Sequence, residues 1–319
     1  MKKRILLFFS IVLIFSAGAC KTFDFTDSYR KTEQDDTAVL QALLNGAGSE
    51  IKIPQNTNGQ PYIVSGVKLE NLENKNIHFA AGVRVFARAQ AFKGEQDCLL
   101  SIVNCKNVNI TGYGATLQMR KADYKRLGYR ASKTRHAVSI SASENIRLEG
   151  FKICQSGGDG IYIGNQSAES DIAKIVDNKN IQLINLNIEN NYRYGISVSS
   201  ANGLLIDGCS VIGTNGLVGS DGLRFEPADN SISLQNIRVK NSAFFYNRCS
   251  GIKITLSHAQ NIPLDISFEN CCSDKNIFGS LAVMQVPKTF KGIVRVINCD
   301  FKGVQFIRVP REFILSESH

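Results

Sequence analysis

Short runs in which apolar and polar residues alternate recur along most of this chain. From Asn76 onward they share one pattern: Asn-Ile, a polar residue, an apolar residue, then Gly or Asn. It reads Asn76-Ile-His-Phe, Asn107-Val-Asn-Ile-Thr-Gly, Asn145-Ile-Arg-Leu-Glu-Gly, Asn180-Ile-Gln-Leu-Ile-Asn and Gly203-Leu-Leu-Ile-Asp-Gly. It continues as Asn236-Ile-Arg-Val-Lys-Asn, Asp265-Ile-Ser-Phe-Glu-Asn and Ile293-Val-Arg-Val-Ile-Asn. A period of two predicts short strands, and the closing Gly or Asn suits a left-handed turn. The starts lie 31, 38, 35, 23, 33, 29 and 28 residues apart. Strands at that period, with no helices between them, predict a solenoid. The Leu-x-x-Leu-x-Leu spacing of leucine-rich repeats is missing. A parallel β-helix fits, with about three strands per coil and coils about 4.8 Å apart. The residue after each turn is Phe151, Leu186, Cys209, Ser242, Cys271 and Cys299, which predicts an internal stack.

Ahead of the repeats, Asp36–Asn45 predicts one amphipathic helix. Asp36 or Thr37 would be its N-cap, Val39, Leu40, Leu43 and Leu44 its apolar face, and Gly46 its stop. Such a helix would close the open N-terminal end of the coil, where unpaired strand edges otherwise aggregate. Ile51-Lys-Ile-Pro and Pro61-Tyr-Ile-Val-Ser read as the first strands.

A second repeat is a glycine turn leading into a strand. His136-Ala-Val-Ser-Ile, Asp159-Gly-Ile-Tyr-Ile, Tyr194-Gly-Ile-Ser-Val, Asp221-Gly-Leu-Arg-Phe and Ser250-Gly-Ile-Lys-Ile align with one another. Stacked one per coil, they form a column of His136, Asp159, Tyr194, Asp221 and Ser250. A second column holds Ser139, Tyr162, Ser197, Arg224 and Lys253. This polar strip is the expected working surface.

The first residues read as a targeting segment. Lys2, Lys3 and Arg4 precede an apolar run, Ile5–Phe15, too short to span a bilayer. Ala17-Gly18-Ala19-Cys20 resembles the lipobox of bacterial lipoproteins, which implies lipidation of Cys20. The expected layout is a signal over 1–19, a tether over 20–32 and one domain over 33–319, held by its lipid in the cell envelope, on the periplasmic or the surface side. Without the leader, the 37 basic residues fall to 34 against 28 acidic ones. That mild excess suits an acidic polymer and does not by itself point to nucleic acid. Of nine cysteines, several fall at the inward repeat position, so buried free thiols are expected rather than disulfides.

The Asp-Asp-Thr-Ala-x-Leu-Gln-x-Leu-Leu helix, the Ile-Pro after it and the coils that follow resemble the pectin-lyase-fold superfamily over nearly the whole mature chain. The resemblance implies an all-β, single-domain, right-handed parallel β-helix with an N-terminal capping helix, in a superfamily of polysaccharide lyases, polygalacturonase-type hydrolases, epimerases and phage tailspikes. Arg135-His136-Ala, Ser156-Gly-Gly-Asp-Gly-Ile-Tyr-Ile-Gly, Asn191-Tyr-Arg-Tyr-Gly-Ile-Ser-Val and Asp221-Gly-Leu-Arg-Phe-Glu-Pro227 are similar to a bacterial group of β-helix proteins. In that group the last motif usually reads Gly-Ile-Asp-Phe-Glu-Pro, so Arg224 here replaces an aspartate.

Three functions follow. Inverting hydrolysis needs two carboxyl groups roughly 6.5–9.5 Å apart. Asp159 and Asp221, two coils apart, are the expected acid/base pair, assisted by Glu226 and His136. Tyr162, Asn191, Tyr192, Arg193, Tyr194, Arg224, Arg248 and Lys253 would hold the sugar chain, tyrosine faces suiting sugar rings. Elimination from a uronate instead needs a base and positive charge; Lys253 or Arg248 would be the base, and Asp159, Asp221 and Glu226 could hold a Ca²⁺. A hydrolase needs no cofactor. The third reading is a tethered glycan binder without activity. Four histidines, His78, His136, His258 and His319, show no zinc-ligand spacing. Two insertions stand out. Gln118–Arg135 carries Arg120, Lys121, Lys125, Arg126, Arg130, Lys133 and Arg135 against Asp123, a solvated loop or a clamp over an anionic chain; the other is Asn165–Lys179. The expected partner is a polysaccharide, and the expected state a monomer.

Overall fold

The computed structural model describes residues 34–164, 177–216, 219–227, 234–257, 264–288, 292–309 and 314–318. The leader, Cys20, the tether and most of the 165–179 insertion lie outside them. Among the described residues no helix is long and apolar enough to cross a membrane.

Strands follow one another in a fixed rotation among three sheets. Among the described residues sheet A, starting at Glu50–Ile53, has ten strands, and sheets B and C, starting at Tyr62–Val64 and Val67–Glu70, have nine each, every pairing being parallel to the strand one coil away. The chain therefore winds as a parallel β-helix, as the repeat predicts. Its interior is built from register: Ile146, Ile181, Leu204, Ile237, Ile266 and Val294 are successive partners in sheet A, and all are buried. Truncating one such side chain to alanine costs about 2–5 kcal/mol. The predicted inner stack is present at Phe151, Leu186, Cys209, Ser242 and Cys271, with Cys299 partly buried. All eight described cysteines are free thiols.

The turns that close the sheet A strands are left-handed at Gly150, Asn185, Gly208, Asn241, Asn270 and Asn298. In the repeat at 107 the left-handed residue is Gly114 rather than Gly112. Gly112 serves a different need, since a Cβ there would lie 2.3 Å from the Phe151 ring. The asparagines near the starts of the strands are left-handed too. Asn74, Asn107, Asn145 and Asn180 pass one amide hydrogen bond from coil to coil, at 2.8, 2.8 and 3.0 Å.

The helix runs Thr37–Leu44 and packs on the first coil. Leu40 and Leu44 are fully buried and Leu43 partly so, but Val39 is exposed, which narrows the predicted apolar face. Neither predicted residue caps it. Asp35 Oδ1 accepts the Thr37 N–H at 3.0 Å, while Asp36 turns away and accepts the Ile63 N–H.

Candidate functional site

Sheet C is entered from sheet B through a stack of turns, and the predicted columns lie there. Val138, Ile161, Ile196, Leu223 and Ile252 pair in sequence, so Ser139, Tyr162, Ser197, Arg224 and Lys253 share one register position. Counting back along the same strands brings His136, Asp159, Tyr194, Asp221 and Ser250 into line. Pairing of Leu100 with Val138 extends the column to Cys98.

The column does not present its acids to solvent. Asp159 is 0% exposed, and both its oxygens are taken. Oδ1 accepts from Arg193 Nε at 2.7 Å and from the Tyr194 N–H at 3.1 Å; Oδ2 accepts from Arg193 Nη2 at 2.5 Å and Ser197 Oγ at 2.8 Å. Burial alone would raise its pKa, but the Arg193 charge, the approach of His136 and these donors bring it below the usual value. Burial works against the Arg193 charge as well, and the Asp159 carboxylate more than offsets it. The expected free acid/base is thus a saturated anchor for Arg193.

His136 is also buried, stacked on the Tyr162 ring at 4.8 Å. Its Nδ1 accepts the Asp159 N–H at 3.1 Å, so the ring is neutral with its proton on Nε2. Burial holds it so, pushing its pKa down to about 4 against the pull of Asp159. The 3.3 Å approach of Nδ1 to Asp159 Oδ2 is then a contact, not an ion pair. Nε2 has no partner.

Two coils on from Asp159, Arg224 joins two carboxylates. Its Nη1 reaches Asp221 Oδ2 at 3.1 Å and its Nη2 reaches Glu226 Oε1 at 2.7 Å. Asp221 is fully buried and also accepts the Ser250 N–H at 2.9 Å. Burial raises its pKa in spite of Arg224 and Lys253. The Glu226 side chain is 42% exposed, the one carboxylate of the predicted set that faces water. Between the two arginines lies Tyr194, with guanidinium carbons 4.7 Å (Arg193) and 5.4 Å (Arg224) from its ring centre. Burial pushes its phenol up to about 12.

The other predicted residues divide. Lys253 is half-buried beside Arg224, and Arg248 is exposed. Tyr162 is half-buried, its hydroxyl 3.0 Å from Ser199 Oγ. Tyr192 lines a neighbouring cleft. Asn191 is not a surface ligand: it is fully buried and accepts the Ser156 N–H at 3.1 Å. Asn247 and Asn276 repeat that role one coil apart. Ser156, Asn191, Asn247 and Asn276 all stand three residues before a column position, a spacing visible in the sequence that marks them as turn supports. Of the three carboxylates expected to hold Ca²⁺ in a lyase, Asp159 is paired with Arg193, and Asp221 and Glu226 with Arg224. Tyr124 joins Lys121 and Arg135 of the basic insertion in the cleft that Tyr192 lines. Their cleft was signalled only by the charge of the 118–135 insertion.

The family model described as the right-handed β-helix region matches residues 130–304, more than half of the chain. No curated protein matches. Among solved structures the chain is similar to the enzymatically active domain of tailspike protein 2 of bacteriophage CBA120, with TM-score 0.55 and 13% identity over 89% of this chain. It spans only 45% of that tailspike chain. The polygalacturonase of Erwinia carotovora ssp. carotovora gives 0.53 and 12% over 90% of this chain and 95% of its own. The endo-xylogalacturonan hydrolase of Aspergillus tubingensis gives 0.52 and 10% over 89% and 90%. Identities this low speak for the coiled architecture alone.

Proposed function

The chain belongs to the right-handed β-helix family, and from that premise we propose that it is an enzyme acting on an acidic polysaccharide laid along sheet C. One observation carries the reading: Tyr194 is flanked by two guanidinium groups, each pinned by a buried aspartate. A tyrosine face suits a sugar ring, and fixed guanidiniums suit its carboxylate. The names of two similar structures, a polygalacturonase and an endo-xylogalacturonan hydrolase, agree with that substrate class.

The reaction we propose is hydrolysis. Asp221, inclined by burial to keep its proton, is the donor, and Glu226, open to water, is the base. Both sit at opposite ends of one guanidinium, so their nearest oxygens are at most about 8 Å apart, within reach of the inverting geometry. A substrate carboxylate that draws Arg224 toward itself uncovers Asp221. Asp159 takes a positioning role through Arg193. A second reading, elimination, is favoured by Lys253, which has no side-chain partner among the described residues and would be its base. A guanidinium makes a poor general base, so Arg248 is left to bind charge.

The test is to incubate the protein with polygalacturonate and other uronate polymers, following new reducing ends and near-ultraviolet absorbance together. Reducing ends without absorbance are expected, with Glu226→Gln and Asp221→Asn each lowering turnover about 10²–10⁴-fold. Absorbance would replace hydrolysis by elimination. Turnover unchanged in both variants sinks the assignment, and no product from any acidic glycan leaves a binding protein. We also propose export with lipidation at Cys20, which Cys20→Ser should abolish in a labelled-fatty-acid assay.

A further inference from the structure

The longest connection entering sheet C, residues 119–137, borders a cleft of about 640 Å³ that the catalytic reading does not use. Five cations line it, Lys121, Lys125, Arg126, Lys133 and Arg135, against one carboxylate, Glu95. The deepest is Arg135, only 1% exposed. Its guanidinium lies over Tyr124 at 4.9 Å and Tyr129 at 5.8 Å, and Nη2 donates to the Gly94 and Arg130 carbonyls at 2.8 and 3.1 Å. Among the described residues its Nε has no hydrogen-bond partner, and the carboxylates that act on it, Asp97 and Glu95, do so without an ion-pair contact. A buried guanidinium satisfied only by neutral oxygens is costly, and an incoming oxyanion would relieve that cost.

Lys121 is alike. It is buried, and its ammonium reaches only neutral oxygens: the Asn190 and Asn191 carbonyls and the Asn190 and Asn215 side-chain amides. The cleft is seated on the column itself. A Cβ at Gly157 would meet the Tyr124 ring at 2.5 Å and Arg135 Cδ at 2.9 Å, so the glycines before Asp159 are what let the loop sit down. Tyr192, under Lys125 at 5.4 Å, joins the cleft to Arg193 and Tyr194.

We infer that this cleft is a second subsite, gripping oxyanion substituents of an acidic glycan some sugar rings away from the Arg193–Tyr194–Arg224 platform. In making both sites serve one chain, the inference rests on the polysaccharide reading of sheet C. Arg135 is too deeply packed for a clean variant, so the test uses the exposed rim. Binding to the full mature chain is measured by calorimetry with a hexameric galacturonate, its carboxyl-reduced counterpart and a sulfated neutral oligosaccharide. Lys125→Gln/Lys133→Gln should weaken hexagalacturonate binding about tenfold, the scale of two exposed charge contacts. Lys106→Gln/Lys152→Gln, the same charge change on sheets A and B, should leave it unchanged. The carboxyl-reduced sugar should bind at least tenfold more weakly. Sulfated-sugar binding with the same loss supports an oxyanion site not confined to carboxylates. Equal affinity of the rim variant and wild type, or of the reduced and acidic sugars, overturns the inference. Binding needs no turnover: this pattern without product would fail only the enzymatic reading, and product with unaltered rim variants only the cleft.

Discussion

Sheet A and the entry to sheet C are made by the same coils, yet they treat polar groups in opposite ways. Along sheet A, identical asparagines hand neutral amide hydrogen bonds from coil to coil at the surface. At the entry to sheet C, coil after coil contributes a different group, and Asp159, His136 and Asp221 are buried, Asp159 answered by Arg193 from the next coil and Asp221 by Arg224 three residues along its own. A ladder of like amides stabilises any coil. Buried mixed charges cost desolvation and are kept where a geometry has to be held. The difference marks the entry to sheet C as the side where buried charge holds a fixed geometry.

The comparison breaks most readily at Asp159. Asp159→Ala leaves Arg193 buried without its carboxylate, and urea unfolding should show a loss of about 3–5 kcal/mol. Adding Arg193→Leu should recover part of it. A loss below about 1 kcal/mol would mean that the pair is solvated.

Next comes acid. His136 is held neutral by burial, with a folded pKa of about 4 against 6.5 in the open chain. The unfolded chain therefore takes up a proton first, so stability is complete above about pH 6.5 and is lost as pH falls from there toward 4, by on the order of 3 kcal/mol. Asp159, whose folded pKa is depressed, adds a further loss as pH falls below its unfolded value near 3.9. Asp221 has the opposite sign: its pKa is raised in the fold, so it penalises the folded state above that value, and the penalty fades as pH falls through it. His136→Phe should flatten the slope of urea midpoints between pH 6.5 and 4; an unchanged slope would show that His136 is not its source.

The smallest effect is on sheet A. Asn145 has φ 55° and two ladder bonds. Asn145→Ala should cost about 1–2 kcal/mol and Asn145→Gly about 1 kcal/mol less, because glycine accepts the left-handed backbone. Equal losses would mean that the amide bonds carry the whole effect.

The coil and the register of both columns could be read from the chain, because period-two strands with Gly or Asn at a fixed offset leave one way to stack. The depth of the column residues could not. Alternation within a strand tells inside from outside, but His136, Asp159 and Asp221 stand in the turn just before it, where that rule lapses. Arg193 reaches Asp159 from the next coil, 34 residues on, a separation that no fixed spacing announces, whereas Arg224 meets Asp221 and Glu226 three and two residues away in its own segment. Arg224 itself was visible as a departure from a motif, and the fold gives the departure a use: it bridges Asp221 and Glu226. The 118–135 insertion showed its charge but not its seat, since Tyr124 and Arg135 are placed by contact with Gly157 rather than by any repeat.

Lys121 ties its loop to Asn190, Asn191 and Asn215, the last 94 positions downstream. A chain that winds up as it is made therefore extrudes this loop well before the atoms that fasten it exist, a wait of about 5–20 s at common synthesis rates. Three later coils must be laid down before the ammonium finds its last acceptor, so the basic recess takes its final form well after its own loop has been made.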